Sequence, residues 1–297
     1  MSSDLATRVT QKLDVRTKKR LDGKGQFWLV FRYFALTILF VIAALPIYIM
    51  VINSVKGITG VTQSAAFTPP TSLNFEAWGP TWEVLREPML RTLFFVTQSS
   101  IISAVIGAIN GFVFAKWKFR GSNLIFTTFL FGMFIPYQAI MIPLTKFNAW
   151  AGIGGSIYVL VFAHVIYGIP ICTLIFRNYY AAIPNELIEA ARVDGAGMVR
   201  IFRTIFLPLS IPGFVVVLIW QFTSAWNDFL FAIFLTGGSP KLSVATTTLN
   251  FITGSGNQVY YGNNMTASLI VSIPTLLVYL FLGRYFLRGM LAGSLKG

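Results

Sequence analysis

The sequence predicts an all-α integral membrane protein with six transmembrane helices, and three observations predict it. Of the 297 residues, 55% are hydrophobic and only 11% are charged, against about 25% charged in an ordinary soluble domain. A fold whose outer surface faces lipid does not require that missing charge. The apolar residues gather into blocks near the roughly 20 residues that a helix uses to cross a hydrocarbon core. These blocks are apolar on every side and lack the two-residue alternation of a membrane-spanning strand.

The blocks run about Tyr33–Ile52, Leu93–Ala115, Asn123–Leu144, Gly155–Phe176, Ser210–Leu235 and Ala267–Phe286. A basic stretch precedes the first, as in a signal peptide. Its core exceeds the about 7–15 apolar residues of a signal sequence, so it is read as a retained span. The third block holds Pro136 and Pro143, and the sixth holds Pro274. Each is read as one spanning helix, because neighbouring helices re-satisfy the carbonyls a proline frees. The domain division is an amino-terminal arm, 1–27, followed by a six-helix membrane domain, 28–297. The segment of about 53–91 is expected to be a short excursion outside the membrane. The segment of about 236–266 is expected to be a polar loop on the same side.

Orientation follows from the lysines and arginines. Eight lie in or just after the arm, from Arg8 to Arg32. Lys116, Lys118 and Arg120 lie between the second and third blocks. Arg177, Arg192, Arg200 and Arg203 lie between the fourth and fifth, and Arg284, Arg288 and Lys296 at the carboxyl end. Only Lys56, Arg86, Arg91, Lys146 and Lys241 fall on the other side. The positive-inside rule then places both termini and the fourth–fifth loop in the cytoplasm.

The net charge of +13 does not indicate nucleic acid, because the basic residues lie between apolar blocks and not on one soluble face. Their partner is the headgroup zone of the lipid bilayer. Cys172 and His164 are the single cysteine and the single histidine. A disulfide framework and a histidine-rich metal centre are therefore excluded. No G-x-x-x-x-G-K-[ST] phosphate loop is present, and no nucleophile–base–orienter set can be assembled from these residues. Neither a catalytic residue nor a bound cofactor or metal is expected on this chain.

The fourth–fifth loop, about 184–208, is the most informative segment. Pro184, Glu186 and Glu189 are helix-start chemistry. Leu187, Ala190 and Ala191 share a face, and Gly195 is the expected stop. A second short helix with Val199, Ile201 and Phe202 leads to Pro208. A helix–turn–helix on the membrane surface with acidic and basic sides suits docking into a cytoplasmic partner.

Here the sequence resembles a known family. Glu189-Ala190-Ala191, then Gly195, then Ile205-Phe206-Leu207-Pro208 looks like the EAA loop of binding-protein-dependent ABC importer permeases, at the expected spacing. The resemblance runs from the second block onward. Ile135-Pro136-Tyr137-Gln138 with Met141-Ile142-Pro143-Leu144, and Trp226-Asn227-Asp228-Phe229, are similar to segments of carbohydrate permeases. Arg284-Tyr285-Phe286-Leu287-Arg288-Gly289 and the tail from Ala292 resemble the end of the maltose-permease G-type subunit. The resemblance implies the type I ABC importer permease fold. It implies as partners a second homologous permease, a homodimer of ABC ATPase subunits carrying ATP and Mg, and an extracytoplasmic sugar-binding protein. It makes Glu186, Glu189, Ala190, Ala191, Asp194, Gly195, Ile205, Leu207 and Pro208 the ATPase-coupling residues.

Polar groups at membrane depth mark a wet path or a helix–helix hydrogen bond. Gln138, Gln221, Ser224, Asn227 and Asp228 are the candidates for a substrate path. Gln221, Ser224 and Asp228 fall at i, i+3 and i+7, on one helical face. A sugar also requires aromatic platforms, which Tyr137, Trp220 and Trp226 offer. His164 and Asn110 are expected to be interhelical hydrogen-bond partners. The leading expectation is a sugar importer permease, with Tyr167-Gly168-Ile169-Pro170 leaning towards glucose-type relatives. The alternatives are an ABC permease for a non-sugar solute and an ion-coupled secondary transporter. The last would require paired intramembrane charges, and only Asp228 is available.

Overall fold

The computed structural model describes residues 23–57, 66–117, 119–254 and 261–294. Most of the amino-terminal arm, part of the polar loop after the fifth block and the last residues of the tail lie outside the described residues. The chain divides into two units, Met1–Ile52 and Asn53–Gly297.

The first unit is carried by helix α1 (Gly23–Ser54). None of its most apolar window is buried. A helix apolar on all sides belongs in lipid or against another helix. Phe27, Trp28 and Phe31 cluster near its start, with ring centroids 5.8–6.5 Å apart. Such aromatics sit at membrane–water interfaces.

The second unit holds α2 (Trp78–Lys116), α3 (Ser122–Phe134), α4 (Tyr137–Trp150), α5 (Tyr158–Ala181), α6 (Glu186–Val193), α7 (Met198–Leu209), α8 (Ile211–Trp226), α9 (Leu230–Leu235), α10 (Ala245–Gly254) and α11 (Tyr261–Ser294). α2 starts well before the second apolar block, so part of the expected excursion is helical. Glu83 and Arg86 pair there at i, i+3, 3.6 Å apart, on an exposed helical face. At 39 residues, α2 is about 58 Å long.

α2 and α5 form the closest helix pair. Ser103, Ala104, Gly107, Ala108 and Gly111 make a buried stripe on α2. A Cβ at Gly111 would stand 2.6 Å from the Cβ of Phe176 on α5, so only glycine permits this approach. Small residues on a contact line are how membrane helices gain packing without a hydrophobic driving force between them.

The third block does not form one helix. α3 ends in a 3₁₀ turn at Gly132–Phe134, and α4 leaves at 94° to it. The cause is local. Proline disfavours the helical region for the residue before it. Ile135 accordingly sits at φ −70°, ψ 116°, and Pro136 at φ −59°, ψ 121°. Pro143 and Pro274, by contrast, lie inside continuous helices. The fifth block also breaks. α8 stops at Trp226, and the chain resumes as α9 only at Leu230. α7 and α8 meet at 74°. Among the described residues, four helices are long and apolar enough to cross a membrane, or up to six if each bent pair is one span. The expected polar loop after the fifth block contains a helix of its own, α10, whose first N–H (Ala245) donates to Thr92 Oγ1 of α2 at 2.8 Å.

Two buried clusters hold the unit. One gathers Phe95, Val159, Leu160, Trp226 and Phe231 with Ala267 and Val271 of α11. The other gathers Phe112, Phe176, Tyr180, Ile188, Ile201 and Phe206 beneath α6 and α7.

Candidate functional site

The surface hairpin α6–α7 is built by end chemistry. Asn185 O accepts from Ile188 N at 2.9 Å and from Glu189 N at 3.1 Å, opening α6. Pro184 therefore precedes the helix start and is not its first residue. At the other end Gly195 adopts φ +75°. Gly195 N donates to Arg192 O (3.0 Å) and Ala196 N to Ala191 O (2.9 Å). This is a Schellman stop, whose left-handed residue favours glycine.

The hairpin rests on its apolar inner side. Ile188, Ile201 and Phe206 are buried. Phe206 and Phe202 pack on Phe112 of α2, with centroids 4.8 and 5.2 Å away, and Tyr179 Oη donates to Leu209 O at 2.7 Å. The buried face of α6 is thus Ile188 with half-buried Ala191. Leu187 and Ala190, grouped with Ala191 from the sequence, point outward. Glu186, Glu189, Asp194, Gly195, Leu207 and Pro208 are exposed, and Ile205 is half-buried. Leu187, Val193 and Val199 are 41%, 88% and 66% exposed. A cleft of about 420 Å³ separates α6 from the end of α2, lined by Lys116, Trp117, Asn185, Ile188, Glu189 and Arg192.

A second concavity, about 340 Å³, lies where the broken third and fifth blocks meet α5. That falls within the roughly 300–1,000 Å³ of small-molecule sites. Gln221, Ser224, Asn227 and Asp228 line it, with Tyr137, His164, Tyr167 and Trp220. Four of the candidate path residues therefore meet in one place, by a different route from the one expected. The helical face ends at Trp226, and Asp228 lines the cavity from the break between α8 and α9. Its carboxylate accepts from Phe231 N (3.4 Å) and Ala232 N (3.2 Å), capping α9. It also faces His164 Nε2 at 3.5 Å. Gln221 is buried and donates Nε2 to His164 O at 2.9 Å, bridging α8 and α5.

Two candidates lie elsewhere. Trp226 is 2% exposed, stacks on Phe222 and donates Nε1 to Val271 O at 3.1 Å. It is a core residue facing α11, not a platform in the cavity. Gln138 is exposed and does not line the cavity. The sequence reading missed the place of His164 and Tyr167. His164 sits between Phe95 and Phe231 (centroids 5.5 and 5.6 Å), and Tyr137 and Tyr167 each pack on Phe231 at 5.3 Å. A lone histidine amid an apolar block was the available signal. A larger concavity in the elbow of α3 and α4, about 670 Å³, is lined almost wholly by apolar side chains such as Leu124, Ile140 and Ile166. It offers little to a hydroxylated solute.

The chain belongs to the family described as binding-protein-dependent transport system inner membrane components, which it matches over residues 107–291. It is a permease subunit of an ABC importer. Among its relatives is the glucose import system permease protein of Saccharolobus solfataricus, 34% identical over 89% of this chain and 95% of the relative. The xylose/arabinose import permease protein of Haloferax volcanii is 31% identical over 82% and 86%. A solved bacterial ABC transporter that imports the acidic polysaccharide alginate superposes with a TM-score of 0.77 at 21% identity. The match covers 91% of this chain and all of that one, a likeness of fold.

Proposed function

We propose that this chain is one of two homologous permease subunits in an ATP-driven sugar importer of a bacterial or archaeal cytoplasmic membrane. The observation that carries the reading is the α6–α7 hairpin. Its inner side is anchored on Phe112, while Leu187, Val193, Val199 and Glu189 are all exposed on the hairpin. Exposed large apolar side chains on a hairpin that also offers a carboxylate suit a protein interface. The partner is a homodimer of ATPase subunits, which holds ATP and Mg. The sequence contains no phosphate loop of its own, so this subunit transports without hydrolysing. An extracytoplasmic sugar-binding protein delivers the solute. The bias of basic residues supports cytoplasmic termini.

The solute class rests on the relatives that import glucose and xylose or arabinose, with a glucose-like sugar favoured. The polar and aromatic lining of the cavity beside Gln221 suits a hydroxylated solute, and the second permease completes the pathway. The experiment is pull-down of the ATPase together with uptake of radiolabelled glucose and xylose in whole cells. Glu189→Ala is expected to abolish uptake and weaken ATPase recovery at normal abundance. Full uptake with unchanged recovery overturns the docking role.

A further inference from the structure

We infer that the end of α2 is a clasp gripping α6 at both of its ends, and that Lys116 is the positioning residue through which α6 acts on α2. The inference rests on the proposed role of α6 as the ATPase-docking helix and adds a route by which its displacement enters the membrane unit.

Two consecutive residues make the grip. Lys116 Nζ donates to Ile183 O at 2.5 Å and to Asn185 Oδ1 at 2.8 Å. Both acceptors lie immediately before α6, and the carbonyl of Asn185 opens its first turn. Trp117 carries the Arg192 guanidinium over its ring, 5.2 Å from the centroid, at the last turn of α6. These partners are 67 and 69 residues from Lys116 in the chain, so local connectivity does not impose the contact.

Covalently, α6 joins only α5 and α7. A pull on α6 would otherwise reach the membrane unit through those neighbours and the packing of Ile188. The clasp adds α2, a single helix whose far portion is tied in its turn. There Arg91 Nη1 donates to Lys241 O (3.0 Å), and Thr92 Oγ1 accepts from Ala245 N of α10. α2 thus links the docking helix to the segment before α10 without passing through the bent helices. A lysine with two oxygen acceptors is a directional, charge-assisted contact. Arginine can reproduce it and methionine cannot.

The test uses the whole complex in liposomes: this chain, its partner permease, the ATPase and the binding protein, with glucose, xylose and arabinose supplied together. ATPase recovery, hydrolysis with and without the binding protein, and sugar accumulated per ATP are measured. Lys116→Met is expected to keep full ATPase recovery. Its binding-protein-stimulated hydrolysis should fall by about tenfold or more, as expected when two charge-assisted hydrogen bonds are lost together. Lys116→Arg should restore it. Asn185→Ala removes an acceptor without touching α2 and should fall in the same direction, which decides the matter if Lys116→Met inserts poorly. Full stimulation in both variants overturns the clasp. Lost ATPase recovery in both assigns these contacts to docking and also overturns it. Failure of the unmodified chain to recover the ATPase would instead refute the docking role of α6 itself.

Discussion

Gly195 offers the cleanest perturbation of the surface hairpin. Its φ of +75° lies in the left-handed region, and nothing stands within 4 Å of where a Cβ would be. Substitution therefore adds backbone strain without a clash. For an ordinary L-residue that strain is about 1–2 kcal/mol. The turn has two ways to respond. It keeps its shape and bears the strain, or it relaxes and gives up the bonds from Gly195 N and Ala196 N. Two such bonds are worth roughly 1–3 kcal/mol net. For alanine the two are comparable, so the turn survives in part. A β-branched residue is a sharper outlier at positive φ, so valine should open it, while asparagine tolerates the conformation. With about 1–2 kcal/mol at stake, a 5- to 30-fold loss of the docking-competent turn is expected for alanine. Titrating purified ATPase against the permease complex in detergent measures this. The predicted order of affinity is Gly, Asn, Ala, Val. Equal affinity for Gly195→Val and the unmodified chain would refute the argument that this turn sets the docking geometry.

Other expectations follow from the same structure. Trp226→Ala empties a fully packed site and should cost about 3–5 kcal/mol, seen as a fall in membrane abundance. Trp220→Ala, at a half-exposed residue lining the cavity, should leave abundance normal and alter the concentration dependence of uptake. Gln221→Ala with Asp228→Ala should impair transport more than assembly. Normal uptake at all concentrations would assign both residues to helix bridging and capping alone. The purified subunit alone should hydrolyse no ATP, and stoichiometric turnover free of contaminating ATPase would overturn the division of labour.

The sequence made some of this legible and hid the rest for identifiable reasons. The hairpin was readable because its signals are local. Glu186 and Glu189 mark a helix start, and Gly195 marks the stop that its left-handed φ requires. The spans were readable as apolar blocks, but their breaks were not. Pro136 breaks its helix while Pro143 and Pro274 do not, a difference that hydropathy does not record. The face of Gln221, Ser224 and Asp228 rested on an unbroken helix. The residues still converge, because Asp228 caps α9 and turns back towards His164. Trp226 was misplaced because an aromatic beside polar residues looks the same in sequence whether it faces a cavity or a neighbouring helix. Lys116 and Trp117 carried no local signal, since their partners lie far along the chain.

The central claim is that this permease moves sugar with energy from a separate ATPase. It is tested most directly by liposomes holding the full complex, with ATP inside and sugar-loaded binding protein outside. The account predicts sugar accumulation that requires both internal ATP and the binding protein, and that persists when ion gradients are collapsed. Accumulation without ATP that follows an imposed ion gradient would contradict it.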